Sequence, residues 1–162
     1  MPIIHTPLPE NERTVAVAAL QALLVDLCAY DFVVQQNRWS VVGTGAHDLS
    51  VRLDDCRHEI HQAQQRVAGR LCVLDAPGAW RPASSPIATP VEGWCEVTTA
   101  VESLLHAASV CVMRVRDRLS AVFAADPVTA AVVTEILGML EFQAFQWQSA
   151  GATWTSRGMH GS

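Results

Sequence analysis

Residues 20–43 read LQALLVDLCAYDFVVQQNRWSVVG, and they predict the end of a long amphipathic helix followed by a glycine turn. Apolar side chains recur in this stretch at alternating steps of three and four residues. A sustained step of this kind is typical of helices that pack almost parallel or antiparallel to one another. Followed towards the N-terminus, the pattern predicts a first helix over residues 12–39. Its seam consists of Ala16, Leu20, Leu23, Leu27, Tyr30 and Val34.

A second helix with the same periodicity is predicted over residues 47–74. Its seam consists of Leu49, Leu53, Cys56, Ile60, Ala63, Val67 and Leu71. A third helix is predicted to begin with Thr89 as N-cap, Pro90 at the first helical position and Glu92 as the capping-box carboxylate. A fourth is predicted to begin with Asp126 as N-cap and Pro127 at its first position. No strand pattern is visible.

The connections predict how the four helices are joined. The first turn, residues 41–46, and the last, residues 124–126, are short, so each joins antiparallel neighbours. The middle connection, residues 75–88, could span about 45–50 Å when extended. That is roughly one helix length, so the second and third helices can run parallel, as in ferritin-like bundles. The alternative is a loose surface loop between antiparallel helices. We therefore expect an all-α, ferritin-like four-helix bundle with a long crossover.

Length and composition predict one soluble domain over residues 1–162, with flexible tails at residues 1–11 and 151–162. Half of the residues are hydrophobic and only 17% are charged, which indicates apolar surface buried between subunits. The formal net charge is −5, every cation is an arginine, and neither terminus carries a basic cluster. Because surface DNA binding depends on such clusters, DNA is not an expected partner.

Cysteine usage indicates a reducing compartment. The five cysteines are widely spaced and none forms a CxxC pair, so we expect reduced thiols in the core. No signal peptide is recognisable, and no uncharged apolar run reaches about 18 residues, so no membrane span is expected. We predict a cytoplasmic protein.

The order and spacing of several motifs resemble the Dps family of mini-ferritins. The first helix ends with Gln36, Trp39, Val41 and Gly43, similar to the family pattern K-Q-A-H-W-N-V-x-G. Residues 67–70, Val-Ala-Gly-Arg, are similar to the family's hydrophobic-A-E-R at the end of the second helix. The start of the fourth helix, from Asp126 to Ile136, is similar to D-x-x-T-A-D followed by T-E-I. The resemblance covers about 120 residues, counted on the sequence.

This resemblance implies a homo-oligomer, a hollow dodecamer built from dimers. Dps proteins oxidise Fe(II), often with hydrogen peroxide, and store the ferric product, and some of them bind DNA. For this chain, the resemblance therefore implies that iron is the bound metal and that the protein has a role in iron sequestration and in protection against oxidative stress.

The ligands of the family's two-iron site are mostly replaced in this sequence. The two histidine positions hold Arg38 and Ser50, and the aspartate position keeps Asp54. The positions contributed by the partner subunit hold Gln65 and Gly69. Iron(II) favours imidazole and carboxylate ligands, so we expect conventional ferroxidase activity to be weak or absent. We also expect Arg38 to pair with Asp54 and to take over the electrostatic role of the metal.

Three other sets of residues are candidate sites. On the second helix, His47, Asp54, His58 and His61 share one face and could bind a transition metal; alternatively they form a polar interface stripe. Asp126 and Glu135 could line a pore in the region where the family has one, although the family's second pore aspartate is replaced by Ala131. A third set, more simply explained as core or interface aromatics, could form a small-molecule pocket: Trp80, Trp94, Phe145 and Trp147.

The leading hypothesis is therefore a Dps-like shell protein with little or no ferroxidase activity. Two rivals come from other classes. One is a structural or small-molecule-binding cage, including co-assembly with an active paralogue. The other is a metalloenzyme with a relocated site around the histidines of the second helix.

Overall fold

A computed structural model describes residues 8–78, 86–87 and 92–158 of this chain, with side chains to Thr153. Four helices make up nearly all of it: α1 over Glu10–Ser40, α2 over Ala46–Val73, α3 over Val97–Ala125 and α4 over Pro127–Gly158. Two short strands complete the described elements, β1 over Val41–Val42 and β2 over Cys95–Glu96. The predicted all-α four-helix bundle is confirmed.

The crossover between α2 and α3 follows from the pairing of the two strands. Val41 lies opposite Cys95 and Val42 opposite Glu96, in parallel. Since β1 follows α1 and β2 precedes α3, this pairing places the start of α3 beside the start of α2. The two helices therefore run parallel. The antiparallel alternative is ruled out by this register.

The turn between α1 and α2 depends on two glycines. Gly43 and Gly45 have φ angles of +94° and +86°, in the left-handed region that side-chain-bearing residues rarely adopt. Gly45 stands immediately before the first residue of α2. Together they reverse the chain in a few residues, so that the last turn of α1 lies against the first turns of α2.

Sequence periodicity identified the core of the first two helices correctly. Every predicted seam residue of α1 and of α2 is buried. Trp147 of α4 is also buried, and its indole N–H donates to the Tyr30 hydroxyl at 2.9 Å. This bond joins α1 to α4 across the middle of the core.

The predicted start of α3 is wrong. Thr89 and Pro90 lie outside the described residues, but Glu92 is not helical, and the helix begins only at Val97. Gly93 has a φ angle of +74°, and Cys95 and Glu96 are held extended by β1. The pairing of the two strands thus outweighs the local capping signal at Thr89. The strands themselves were not predicted, because a strand of two residues is too short to show an alternating hydrophobic pattern.

Asp126 is the N-cap of α4, as predicted. Its carboxylate accepts hydrogen bonds from the backbone N–H groups of Val128 at 3.2 Å and Thr129 at 3.1 Å. The helix then continues to Gly158, into the segment that the sequence analysis assigned to a C-terminal tail.

The cysteines are expected in the core, but the structure does not place all of them there. Cys56, Cys95 and Cys111 are buried and Cys28 is partly buried, whereas Cys72 is exposed near the end of α2. The nearby residues Leu71 and Leu74 are buried in the core, so Cys72 points to the opposite face of the helix.

Helices α1 and α4 are more hydrophobic than helices that bury a single face usually are. By length and composition alone, α1 and residues 127–153 of α4 could cross a membrane, contrary to the sequence-based expectation. In the apolar windows of these helices, 44% and 39% of the residues are buried in the bundle. Exposed apolar side chains such as Phe32, Phe142 and Phe145 account for part of the remainder. Both helices carry part of the common core, and their outer apolar faces have the character of subunit contact surface.

Candidate functional site

The end of α1 and the third turn of α2 bring Arg38 and Asp54 together. The guanidinium donates to both carboxylate oxygens, from Nε to Oδ1 at 3.2 Å and from Nη2 to Oδ2 at 3.4 Å. A bidentate fork of this kind matches the planar geometry of the two groups. The side chains are 38% and 56% exposed in a single protomer. The arginine therefore occupies the carboxylate through which Asp54 could otherwise bind a metal.

The other three positions of the two-iron pattern offer no ligand suited to iron. The Ser50 hydroxyl donates to the Ala46 carbonyl one turn earlier, at 2.8 Å. Gln65 and Gly69 lie exposed on α2. A Cβ atom built at Gly69 would meet nothing within 4 Å, so packing does not require glycine there. A donor set of one paired carboxylate, one hydroxyl, one amide and one guanidinium does not fit Fe(II).

The four candidate metal ligands of α2 have separate surroundings. His61 lies 3.4 Å from a carboxylate oxygen of Asp31 on α1, and Arg57 donates to the other oxygen of that carboxylate at 3.1 Å. His58 is 3.0 Å from the Gln62 amide, and His47 is exposed in the first turn. Within the described part of the chain, no group of three or more His, Cys, Asp or Glu residues could hold a metal ion.

The two candidate pore carboxylates are both paired with arginines of α2. Arg66 forms an ion pair with Glu135 on the surface. Arg70 donates to Asp126 at 2.6 Å, and this pair is nearly buried. Burial alone would raise the pKa of Asp126, but hydrogen bonds from Thr129, Arg70 and the N–H of Val128 lower it below its ordinary value of 3.8. Asp126 is therefore a helix cap and an ion-pair partner within one protomer.

The candidate aromatic set does not form one pocket. Trp147 is 2% exposed in the core, whereas Trp94 and Phe145 are 77% and 60% exposed. Phe145 stacks on Phe142, with ring centroids 6.5 Å apart. Trp80 lies outside the described residues. Of the exposed members, Phe145 belongs to the apolar outer face of α4, and Trp94 lies immediately before β2.

A buried ion-pair triad that was not predicted from the sequence consists of Asp26, Arg114 and Arg118. The Asp26 side chain is 1% exposed and accepts from Arg114 Nε at 2.9 Å and from Arg118 Nη1 at 2.7 Å. Arg114 and Arg118 are one turn apart on α3, while Asp26 interrupts the apolar run of α1. That interruption, together with the spacing of the two arginines, is a signal that could have revealed the triad.

A chain of polar groups in the core was also missed. Tyr30 receives the Trp147 indole N–H and lies 3.7 Å from the Cys56 sulfur. Burial raises the pKa of the Tyr30 hydroxyl well above its ordinary range and that of the Cys56 thiol to about 12. Both groups are therefore neutral at physiological pH. Nothing in the sequence marks this contact, because the three residues come from three helices.

Known structures with the same arrangement of helices are Dps proteins. Dps92 from Deinococcus radiodurans is 24% identical over 86% of this chain and 87% of its own, with a TM-score of 0.82. Dps from Mycobacterium smegmatis is 15% identical over 93% of this chain and 94% of its own, with a TM-score of 0.84. This chain has the Dps fold.

A third structure with the Dps fold comes from Vibrio cholerae O1 and is described as a member of the ferritin-like diiron-carboxylate superfamily. It is 16% identical over 92% of this chain and 98% of its own, with a TM-score of 0.76. No family model matches the sequence, and no curated protein is significantly similar to it. At these identities the likeness establishes the Dps fold alone.

Proposed function

We propose that this chain is a subunit of a Dps-like cytoplasmic shell, related to iron sequestration and stress protection, in which the conventional two-iron oxidation is weak or absent. The observation that carries the proposal is the bidentate contact between Arg38 and Asp54. A permanent cation at this place repels Fe(II), and it holds the one carboxylate that remains of the five-ligand pattern.

Assembly is supported by the outer faces of the helices. Phe32 and Trp39 on α1 and Phe142 and Phe145 on α4 are each about half exposed or more in the isolated protomer. Exposed aromatic residues of this number are typical of subunit interfaces. The proposed assembly is a homo-oligomer, a dodecamer built from dimers as the resemblance implies, either alone or with a paralogue. The net charge of −5 and the lack of a basic cluster near either terminus argue against a DNA-binding shell.

The direct test measures Fe(II) oxidation by the purified, assembled protein. We expect a rate barely above that of buffer, with oxygen or with hydrogen peroxide as oxidant. A fast phase that saturates at a fixed ratio of iron to subunit would overturn the proposal. Native mass spectrometry of the same sample, combined with metal analysis, reports the number of subunits and any bound metal or second chain.

A restoration variant makes the test sharper. Arg38→His, Ser50→His, Gln65→Asp and Gly69→Glu together rebuild the ligand pattern, and the open space at Gly69 accommodates the added side chain. We expect the variant to gain a saturable oxidation phase. Arg38→Gln is the matched control, since it removes the cation without adding an iron ligand; a comparable gain in this control would show that the missing ligands are not the cause.

A further inference from the structure

Arg114 and Arg118 form a fixed pair of guanidinium groups at the edge of the contact between α1 and α3. At a spacing of four residues, their Cβ atoms are about 5–6 Å apart on one face of the helix. Both guanidiniums are held by the same carboxylate, since Arg114 Nε donates to Asp26 at 2.9 Å and Arg118 Nη1 at 2.7 Å. Because Asp26 is buried, it anchors both side chains in place.

Several donor groups of this arginine pair are left for another acceptor. A guanidinium carries five N–H donors. Within the described residues, Arg114 uses only its Nε group and Arg118 only its Nη1 group in hydrogen bonds. The remaining nitrogen atoms of the two side chains are not among the buried atoms that lack a partner. They therefore reach solvent, where a dissolved acceptor can meet them.

The arginine pair also carries an excess of positive charge. Two guanidiniums against one carboxylate leave one positive charge uncompensated in the triad. On α3, Asp117 lies within one turn of the pair, but it is exposed and forms no ion pair with either arginine in the described part of the chain. The other positions one turn from the triad along this edge are uncharged: Ala22, Ala29, Val110 and Ala121. The charge at this edge favours an anion.

The geometry of the pair favours an oxyanion over a monatomic anion. The planar fork of a guanidinium matches two oxygens of one phosphate or carboxylate group. Two such forks one helical turn apart can donate to different oxygens of the same tetrahedral anion. Since the free donors face solvent, water competes with the ligand, and we expect a dissociation constant of about 1 mM.

We propose that Arg114 and Arg118 bind a small phosphate-type oxyanion at the edge of the contact between α1 and α3. Inorganic phosphate and the phosphate group of a small monoester present the same oxygens to the two guanidiniums. The site lies apart from the Arg38–Asp54 contact and involves no iron chemistry. The proposal can therefore fail while the proposed function stands, and the reverse is also true.

An anomalous-scattering experiment locates the site directly. Crystals of the full-length protein, grown without phosphate, are soaked in tungstate, a tetrahedral oxyanion that contains a heavy atom. We expect an anomalous peak beside the Nη groups of Arg114 and Arg118. A soaked crystal without a peak at this position would overturn the proposal.

Urea unfolding of the assembled protein measures binding in solution. The protein is unfolded in phosphate at about ten times the expected dissociation constant, and in chloride at the same ionic strength. Binding should raise the folding equilibrium constant about elevenfold over the chloride reference. Glycerol 3-phosphate at the same concentration distinguishes the two ligand sources: a larger gain indicates a monoester, and an equal or smaller gain indicates the free anion. No gain with either compound would refute the site.

Variants separate this binding from the general stabilisation that phosphate gives to proteins. Arg114→Gln and Arg118→Gln each keep a donor towards Asp26 but lose the charge and the fork. Each should weaken binding about tenfold, which reduces the gain to about twofold. Arg116→Gln is the matched control on the same helix, since Arg116 pairs with Glu141 of α4, and it should keep the full gain. If all three variants respond to phosphate as the wild type does, the stabilisation is unspecific and the proposal is wrong.

Discussion

Replacing Asp26 tests whether the buried ion-pair triad stabilises the contact between α1 and α3 in the manner its burial suggests. The carboxylate is 1% exposed, whereas Arg114 and Arg118 are 37% and 23% exposed. The three groups therefore differ in what happens when a partner is lost. The arginines can regain water through their exposed side, but the carboxylate cannot.

The magnitudes follow from this difference. Asp26→Ala removes two charge-assisted hydrogen bonds, each worth about 1.5–3 kcal/mol at most, and rehydration of the arginines offsets part of the loss. We expect a decrease of about 2–3 kcal/mol in the free energy of unfolding. The double variant Arg114→Ala/Arg118→Ala leaves a buried carboxylate without a partner, which costs about 3–5 kcal/mol. The triple variant should be more stable than the double one, because the unpaired charge is gone.

Urea unfolding at a fixed protein concentration, followed by circular dichroism, measures these differences. Arg116→Ala is the control, since Arg116 pairs with Glu141 on the surface and such pairs contribute about 0–1 kcal/mol. The reasoning is refuted if Asp26→Ala is as harmless as this control. It is also refuted if the double variant is no less stable than Asp26→Ala.

Four further outcomes are expected. Trp147→Phe should lower the free energy of unfolding by about 1–3 kcal/mol in the same urea assay, because Tyr30 loses its donor within the core; a neutral result would contradict the assigned bond. The folded-state pKa of Asp126 is depressed, so its contribution to stability is complete above the unfolded pKa of about 4 and is lost as pH falls through the lower folded value; the stability of the wild type relative to Asp126→Asn should therefore be constant near neutrality and decrease only in that acid range, and a difference that changes near neutrality would contradict the assignment. Asp54→Ala should change protomer stability by less than about 1 kcal/mol because the pair is exposed, yet accelerate subunit exchange measured by mass spectrometry; unchanged exchange would exclude a role in the interface. Gly43→Ala should cost about 1–2 kcal/mol through its φ angle of +94° alone, since an added Cβ contacts nothing; a loss well above that value would reveal a packing role.

The sequence was most informative where one helix face is apolar and the other polar. In α2, exposed polar residues alternate with the seam, and all seven predicted core positions are buried. In α3 and α4 the periodicity is ambiguous, because apolar residues lie on two faces. Val128 of α4, for example, is apolar and yet 57% exposed. Hydrophobicity alone does not distinguish a surface that packs inside the protomer from one suited to packing against another subunit.

Features that depend on contacts between distant segments could not be predicted from local signals. The Thr89-Pro90 pattern is a sound helix start in isolation, yet the extended pairing of Cys95 and Glu96 with β1 delays α3 to Val97. Likewise, spacing along α2 suggested a shared face for Asp54, His58 and His61. Their actual partners come from α1 or from the same helix, because side-chain length and the neighbouring helix decide which groups meet.

Arginine pairing makes the Dps fold of this chain compatible with the weak or absent iron oxidation that we propose. The carboxylates Asp54, Asp126 and Glu135, which the resemblance associates with iron, each meet an arginine of the same protomer. Iron transfer along a protein surface depends on carboxylates whose charge is free to attract the cation. Two of these pairs are exposed and contribute little to stability, so substitution could release them at small cost. The Arg70–Asp126 pair is different, since it is nearly buried and also caps α4. Removing Arg70 would leave Asp126 buried beside Thr129 without its cation, so the pairing of this carboxylate is tied to the integrity of the fold.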